Sequence, residues 1–587
     1  MHVLMLALQL ALGGPVAHGQ DSAKQLESLF AQEWDLTMRE IPEAATRVGY
    51  PGQNMRFTDH SPTAVNARFE HLKVYLGQLK AIDRDALPPP SQISYDLALR
   101  ETEEALEGRK FPAQYLAISQ LDGVQQDIAQ LLSVQPATKA ADYRDILGRL
   151  KALPQLIDQT IALLTEGLRQ GVTPPRITLR DVSAQILAQV VTDPLQSTML
   201  KPFLHFPSTI PPAEQKSLKD EAVALYSSGV APAFTKLNTF FTTTYLPKTR
   251  TTISAADLPN GKEWYAYNVR VNTTTTLSPE AIHAIGLKEV SRLRQEMEAV
   301  IKEVKFKGDF AAFGKYLRSD PQFFYTKKDQ LLAGYRDIAK RIDPQLPRIF
   351  GKLPRLTYGI LPVPLDSEKS QVSGYYHSGS ITTGRAGHFF ANTYDLKTRP
   401  KWDMEALVLH EAVPGHHLQI ALAQEQEDLP QFRKHGGYNA FSEGWGLYAE
   451  SLGSELGMYA DPYSRYGQLT YETWRAVRLV VDTGMHALGW TRQQAIDYFR
   501  ANTAKSDHDI VVEVDRYIVW PGQALAYKIG QLKIRELRTY AETKLGEGFD
   551  ERAFHDEILA SGSVPLDFLE RHIKSWVEAQ GKVQRGA

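Results

Sequence analysis

The chain has 587 residues, 66 basic against 68 acidic side chains, 43% hydrophobic residues and no cysteine. That length suits roughly two to four domains or one large helical body, and the near-balanced charge leaves no electrostatic footprint for nucleic acid or an anionic membrane. Without cysteine there are no disulfides, no thiolate catalysis and no cysteine-bound zinc or iron–sulfur cluster, so any metal must sit on His, Asp and Glu.

Residues 1–19 read as an export leader. Val3 to Leu12 is an apolar run, and Ala17-His18-Gly19 is a small-x-small cleavage site before Gln20, although no Lys or Arg precedes the run. A membrane span needs about 20 apolar residues, and Gly13-Gly14-Pro15 interrupts this one. With no cysteine to carry a lipid anchor, the expectation is an exported protein, periplasmic or secreted, with no membrane span. Residues 23–39, 64–82, 91–107, 143–168 and 212–244 place apolar side chains at three- and four-residue intervals and predict helices. Pro88-Pro89-Pro90 and Pro174-Pro175 mark connections between them. The turn-rich stretch 247–262 suggests a soft boundary near Arg250, dividing an N-terminal helical region (20–250) from a catalytic region (251–587). Ser278-Pro279-Glu280 is a helix start, with a capping hydroxyl, proline at the first position and an acid in the first turn. Residues 356–363, 372–377 and 387–393 are the strand candidates, short and rich in β-branched or aromatic residues between Gly, Ser and Pro. Helices resume at Trp402, so the expected fold is mainly α, with one small β-sheet (about 356–393) beside the most informative helix.

Eight of the sixteen histidines fall between His377 and His508. Residues 407–420 read LVLHEAVPGHHLQI, which resembles the helix of a zinc metallopeptidase. In the usual HExxH form two histidines four apart share a helix face and one metal, and the Glu between them polarises water. The spacing here is longer. On an ideal helix His416 lies about 120° off the His410 face, and His417 lies on that face but roughly 10 Å along the axis. Pro414 cannot continue the ladder, because its ring clashes with the His410 carbonyl, and Gly415 permits unusual backbone. A two-residue bulge at Val413-Pro414-Gly415 would bring His416 to the second-ligand position; His417 is the alternative, and the Gly-His pair favours His416. In NAFSEGWGLYAESL, Glu443 has the offset of a gluzincin-type third ligand, and Glu450, one heptad on, either orients a ligand histidine or faces solvent. Tyr517 and Tyr527, in VDRYIVWPGQALAYKIG, are phenols for an oxyanion or packed aromatics. The strand GHFFANT, with Asn392, offers a free edge to an extended peptide. Arg478, Asp482 and His486, four apart, form either a surface ladder or a polar cleft face.

Four motifs occur in order: HEAVPGHHLQ, FSEGWGLYAESLG, RLVVDTGMHALGW and DRYIVWPGQALAYKIG. Together they resemble the bacterial family called domain of unknown function 885, over most of the chain after the leader. That family is in turn similar to the helical gluzincin peptidases, the group of angiotensin-converting enzyme, thimet oligopeptidase and carboxypeptidase Taq. The resemblance implies a large helical ellipsoid with a deep central cleft. It further implies Zn2+ on His410, His416 and Glu443, with Glu411 as general base. Arg516-Tyr517 resembles the Arg-Tyr pair whose tyrosine stabilises the tetrahedral intermediate, and His508 sits near a substrate-binding histidine. Beside what the resemblance implies, Tyr527 and Asn392 are read from their own segments as further substrate contacts. The function this implies is an exported zinc peptidase acting on small or unfolded peptides. Its rivals are a zinc hydrolase of a non-peptide amide or ester and an inert periplasmic binding protein.

Overall fold

The computed structural model describes residues 15–365, 368, 372–381 and 384–586. Of the expected leader, residues 1–14 lie outside the described residues, and the first described helix is Pro15–Glu40. The protein is mainly α, as the periodicity implies. The helices expected near 64–82, 91–107 and 143–168 are Pro62–Lys80, Pro89–Gly108 and Ala140–Gln170. Ser278 caps Pro279–Glu303 by accepting from the Ala281 amide, with Pro279 at the first turn. The stretch read as one helix over 212–244 is two α-helices, Pro212–Leu225 and Ala231–Phe240, each widening at its end into a single π-turn, Tyr226–Val230 and Phe241–Tyr245. The first wide turn adjoins Pro232, which has no amide hydrogen to donate to the ladder.

Three large apolar clusters hold the chain. One lies within the N-terminal helices, from Ile118 to Tyr245. A second packs Pro279–Glu303 against Pro462–His486 through Leu293, Met297, Val477 and Val481. The third surrounds the site helices and draws in Leu97 from the N-terminal region, together with Leu409, Trp445 and Ile534. Helices Asn439–Ser451 and Ala526–Leu545 cross almost backbone to backbone. A Cβ on Gly530 would stand 1.8 Å from the Ala440 carbonyl oxygen, and one on Gly444 would stand 2.5 Å from the Gly530 Cα. Only glycine at these two positions lets the helices meet.

The sheet has three strands, β1 (Tyr358–Pro362), β2 (Gly374–His377) and β3 (Gly387–Ala391), in the order β1-β3-β2. Strand β3 runs parallel to β1, with Tyr358 opposite Gly387, and antiparallel to β2, with Gly374 opposite Ala391. The expected free edge on GHFFANT is therefore not there. Alternate residues of β3, Gly387, Phe389 and Ala391, are buried, and both of its ladders are filled.

The glycine crossing yields a stability prediction. Gly530→Ala should destabilise the protein by about 1–3 kcal/mol, the usual cost of forcing an atom into filled space. Denaturant unfolding would measure it, and an unchanged midpoint would show that the two helices separate freely.

Candidate functional site

The Met404–Glu411 helix does not bulge after Glu411; it stops. Ala412 leaves helical geometry (φ −98°, ψ −112°), the Val413–Pro414 peptide is cis, and a new helix runs His416–Glu425. Pro414 has no amide hydrogen to offer the ladder. A Cβ at Gly415 would lie 1.9 Å from the His410 carbonyl oxygen and 2.4 Å from that of Leu409, so glycine is required there. Trp445 Nε1 donates to the Pro414 carbonyl at 2.8 Å and pins the break to the Asn439–Ser451 helix.

The break sets the His416 ring edge-on to His410, centroids 4.7 Å apart and planes at 86°. Both Nε2 atoms face Glu443 Oε2, at 3.6 Å from His410 and 3.4 Å from His416. One ligand atom from each of these three residues lies within 4.8 Å of the others. The far nitrogen of His410, Nδ1, bonds Glu450 Oε1 at 2.8 Å, and Arg475 Nη2 reaches the same oxygen at 3.3 Å. Glu450 is thus not on a solvated face; it is fully buried and fixes the His410 ring. Gly446 lies against that ring, where a Cβ would stand 2.8 Å from Cε1. Burial alone would push His410 down, but its hydrogen bonds to Glu443 and Glu450 carry it up to about 9. Burial likewise pushes Glu443 up, and the same hydrogen bonds with His410 and His416 hold it well below the usual carboxylate range. Two imidazole nitrogens and a carboxylate oxygen facing one point form a donor set that can hold a divalent cation.

Glu411 ends its helix beside this cluster, buried and without a hydrogen bond among the described residues. Burial raises its carboxyl above the ordinary value against the pull of His410 and His416. His417 faces away. Its Nδ1 accepts from the Tyr376 hydroxyl at 2.9 Å and its Nε2 donates to the Leu356 carbonyl at 2.9 Å, tying β2 and the start of β1 to the second helix. Burial pushes it down to about 4, so it is neutral with both nitrogens spent.

Other expected residues are placed differently. Tyr517 is fully buried; its hydroxyl donates to Glu513 Oε2 at 2.6 Å and accepts from Arg478 Nε at 2.9 Å and Trp474 Nε1 at 3.1 Å. With its proton and both lone pairs engaged, it is not an oxyanion donor in this arrangement, because its helix turns that face into the Pro462–His486 helix. Tyr527 accepts from Arg516 Nη2 at 3.2 Å and keeps its own proton unspent among the described residues. His508 is exposed in the first turn of Asp507–Val519. Asn392 is buried, donating to the Glu368 and Val372 carbonyls and accepting from the Tyr394 amide, so it is a structural clamp rather than a substrate contact. Arg478, Asp482 and His486 form neither a ladder nor a cleft face. All three are buried: Arg478 holds Tyr517, Asp482 accepts from the Tyr265 hydroxyl, and His486 bonds the Ala255 amide and the Tyr517 carbonyl. Sequence reasoning passes over Arg475 and Gly446. Their only signals are positions three residues before Arg478 and three after Glu443.

The sequence profile described as a bacterial protein of unknown function (DUF885) matches residues 42–573, and the chain belongs to that family. A candidate lipoprotein from Colwellia psychrerythraea, known from its crystal structure, superposes with a TM-score of 0.90 at 29% identity, over 95% of this chain and 100% of the other. A candidate lipoprotein of unknown function from Shewanella oneidensis shares the fold, with a TM-score of 0.71 at 17% identity over 94% and 99%. No curated protein matches the chain. Among the described residues, no helix is long and apolar enough to cross a membrane.

The buried hydroxyl makes Tyr517 a test of this geometry. Tyr517→Phe removes one donor to Glu513 and the acceptor of Arg478 Nε and Trp474 Nε1, and should cost about 1–3 kcal/mol of stability. A variant as stable as the wild type in chemical denaturation would contradict the network.

Proposed function

We propose that this member of the DUF885 family is an exported zinc-dependent peptidase that hydrolyses small or unfolded peptides. The observation that carries the reading is the convergence of His410, His416 and Glu443. Tetrahedral zinc with ligands at about 2.0–2.1 Å separates its donor atoms by roughly 3.4 Å. The two histidine–Glu443 distances, 3.6 and 3.4 Å, match that spacing. The lengthened motif, which is the best ground for an inert binding protein, is absorbed by the helix break.

Bound there, zinc would lower the pKa of a water molecule and polarise a peptide carbonyl. The remaining work falls to the chain. Glu411, raised by burial and free of hydrogen bonds, accepts a proton on its carboxylate and returns it to the leaving amine. Glu450 holds the His410 Nδ1 proton, which keeps Nε2 directed at Glu443, and Arg475 offsets the charge on Glu450. Tyr527, not Tyr517, is the phenol of this motif with a proton left to donate to a substrate oxygen.

The test begins with metal content. The purified chain should take up one zinc, and His410→Ala, His416→Ala and Glu443→Ala should each abolish stoichiometric binding, whereas His417→Ala should keep it. Glu450→Gln should weaken zinc affinity about 10–100-fold. A protein that stays zinc-free after reconstitution sinks the metal assignment. Against a mixed peptide digest, Glu411→Gln should keep its zinc and lose about 10²–10⁴-fold in turnover. Retention of more than roughly a tenth of the wild-type rate would remove Glu411 from the role of base.

A further inference from the structure

A cavity of about 410 Å³ lies where the N-terminal helices meet the catalytic region. This is within the range of specific small-ligand pockets, roughly 300–1,000 Å³. Its walls are largely apolar: Leu116 from the N-terminal side, and Leu258, Trp264 and Trp520 from the other. Trp264 is held rigid by stacking on Phe111, centroids 5.7 Å apart, and Trp520 is 37% exposed at the rim.

The polar groups in the lining fall into two kinds. The charged ones are already engaged: the Arg250 guanidinium donates to the Thr173 and Ser254 carbonyls, and Asp122 accepts from Trp520 Nε1 at 2.7 Å. Two carboxamides are not. Asn268 has no side-chain hydrogen bond among the described residues, and Gln523 accepts from Arg516 at 2.8 Å while its own amide hydrogens are unspent. A pocket with indole and leucine walls, engaged charges and two available carboxamides suits a neutral apolar side chain flanked by peptide groups.

Its position ties it to the metal cluster. Asn272, also in the lining, accepts from Asn439 Nδ2 at 2.7 Å. Asn439 opens the helix that carries Glu443, on the same face and four residues away, which is about 6 Å along the axis. We infer that this cavity is the subsite for a bulky, neutral, apolar residue of the substrate, with Asn268 and Gln523 hydrogen-bonded to its peptide backbone. The substrate class rests on the peptidase reading; the pocket's selectivity is tested apart from it.

Calorimetric titration of zinc-loaded Glu411→Gln protein with acetyl-Ala-Phe-Ala-amide, and with its Lys and Asp counterparts, separates the two. The Phe peptide should bind at least about tenfold more tightly than either charged one, since burying an aromatic side chain is worth more than one decade. Adding Trp520→Ala should erase that preference, and Trp520→Phe should restore most of it, so that loss of the rim ring is distinguished from misfolding. Equal affinities for the three peptides, no binding of any, or a preference untouched by Trp520→Ala would overturn the subsite. Phe-selective binding without cleavage of any peptide by the zinc-loaded wild type would overturn the peptidase reading alone. Cleavage with no Phe preference would overturn the subsite alone.

Discussion

Pro414 cannot donate to a helical ladder, and Gly415 occupies space where a Cβ would lie 1.9 Å from the His410 carbonyl oxygen. These two local facts force the chain out of the helix directly after Glu411 and let it restart at His416. In a continuous helix the two histidines would look about 120° apart; across the break they stand edge to face above one carboxylate. The neighbouring helices are built to receive that corner. Trp445 caps the Pro414 carbonyl, Gly446 makes room for the His410 ring, and Gly444 lets the Ala526–Leu545 helix close behind. Four consecutive residues of one helix, Glu443 to Gly446, therefore serve as the carboxylate of the cluster, crossing point, cap and ring floor.

The second constraint is electrostatic. The Pro462–His486 helix carries buried charge along most of its length, and each charge is met by a partner from a different element. Glu472 receives Lys528 at 2.7 Å, Arg475 meets Glu450, Arg478 meets Glu513, and Asp482 meets Tyr265. Such pairs cost desolvation and are weak evidence for stability, but removing one partner strands the other, so they fix position strongly. That is why Glu450 can hold His410 in one orientation: Arg475, which steadies it, belongs to a helix clamped at several other points.

Much of this was legible in the sequence. Three- and four-residue periodicity located the helices, and Ser278-Pro279-Glu280 marked a helix start that the structure shows in full, because capping is a local interaction. The approach of His416 to His410 was readable from what proline and glycine do to a ladder, with His417 as the alternative, whereas Glu443 entered through the resemblance to a gluzincin third ligand. Less was legible where a residue's role depends on which face of its element is buried. Tyr517, Asn392, Arg478 and His486 all carry groups suited to a site, and all are turned inward by bonds to other segments of the chain. The order β1-β3-β2 is of the same kind: a parallel neighbour arriving from Tyr358–Pro362 covers the edge that a local reading of GHFFANT leaves open.

The cluster also bears on what holds the His410, His416 and Glu443 side chains together. Small zinc domains are unfolded without metal because nothing else holds the ligands together. Here Glu443, kept ionised, pairs with His410, kept protonated, and the helices that carry them are packed into the large apolar cluster around the site. The ligands are therefore held in place by one another and by their neighbours. A cation placed at this point would have to displace the proton on His410 Nε2, and so would compete with protons for a site that already has its shape. The Glu450 bond to Nδ1 decides which imidazole nitrogen of His410 faces Glu443. The bond that aims the His410 ring is therefore also one of those that hold the cluster together.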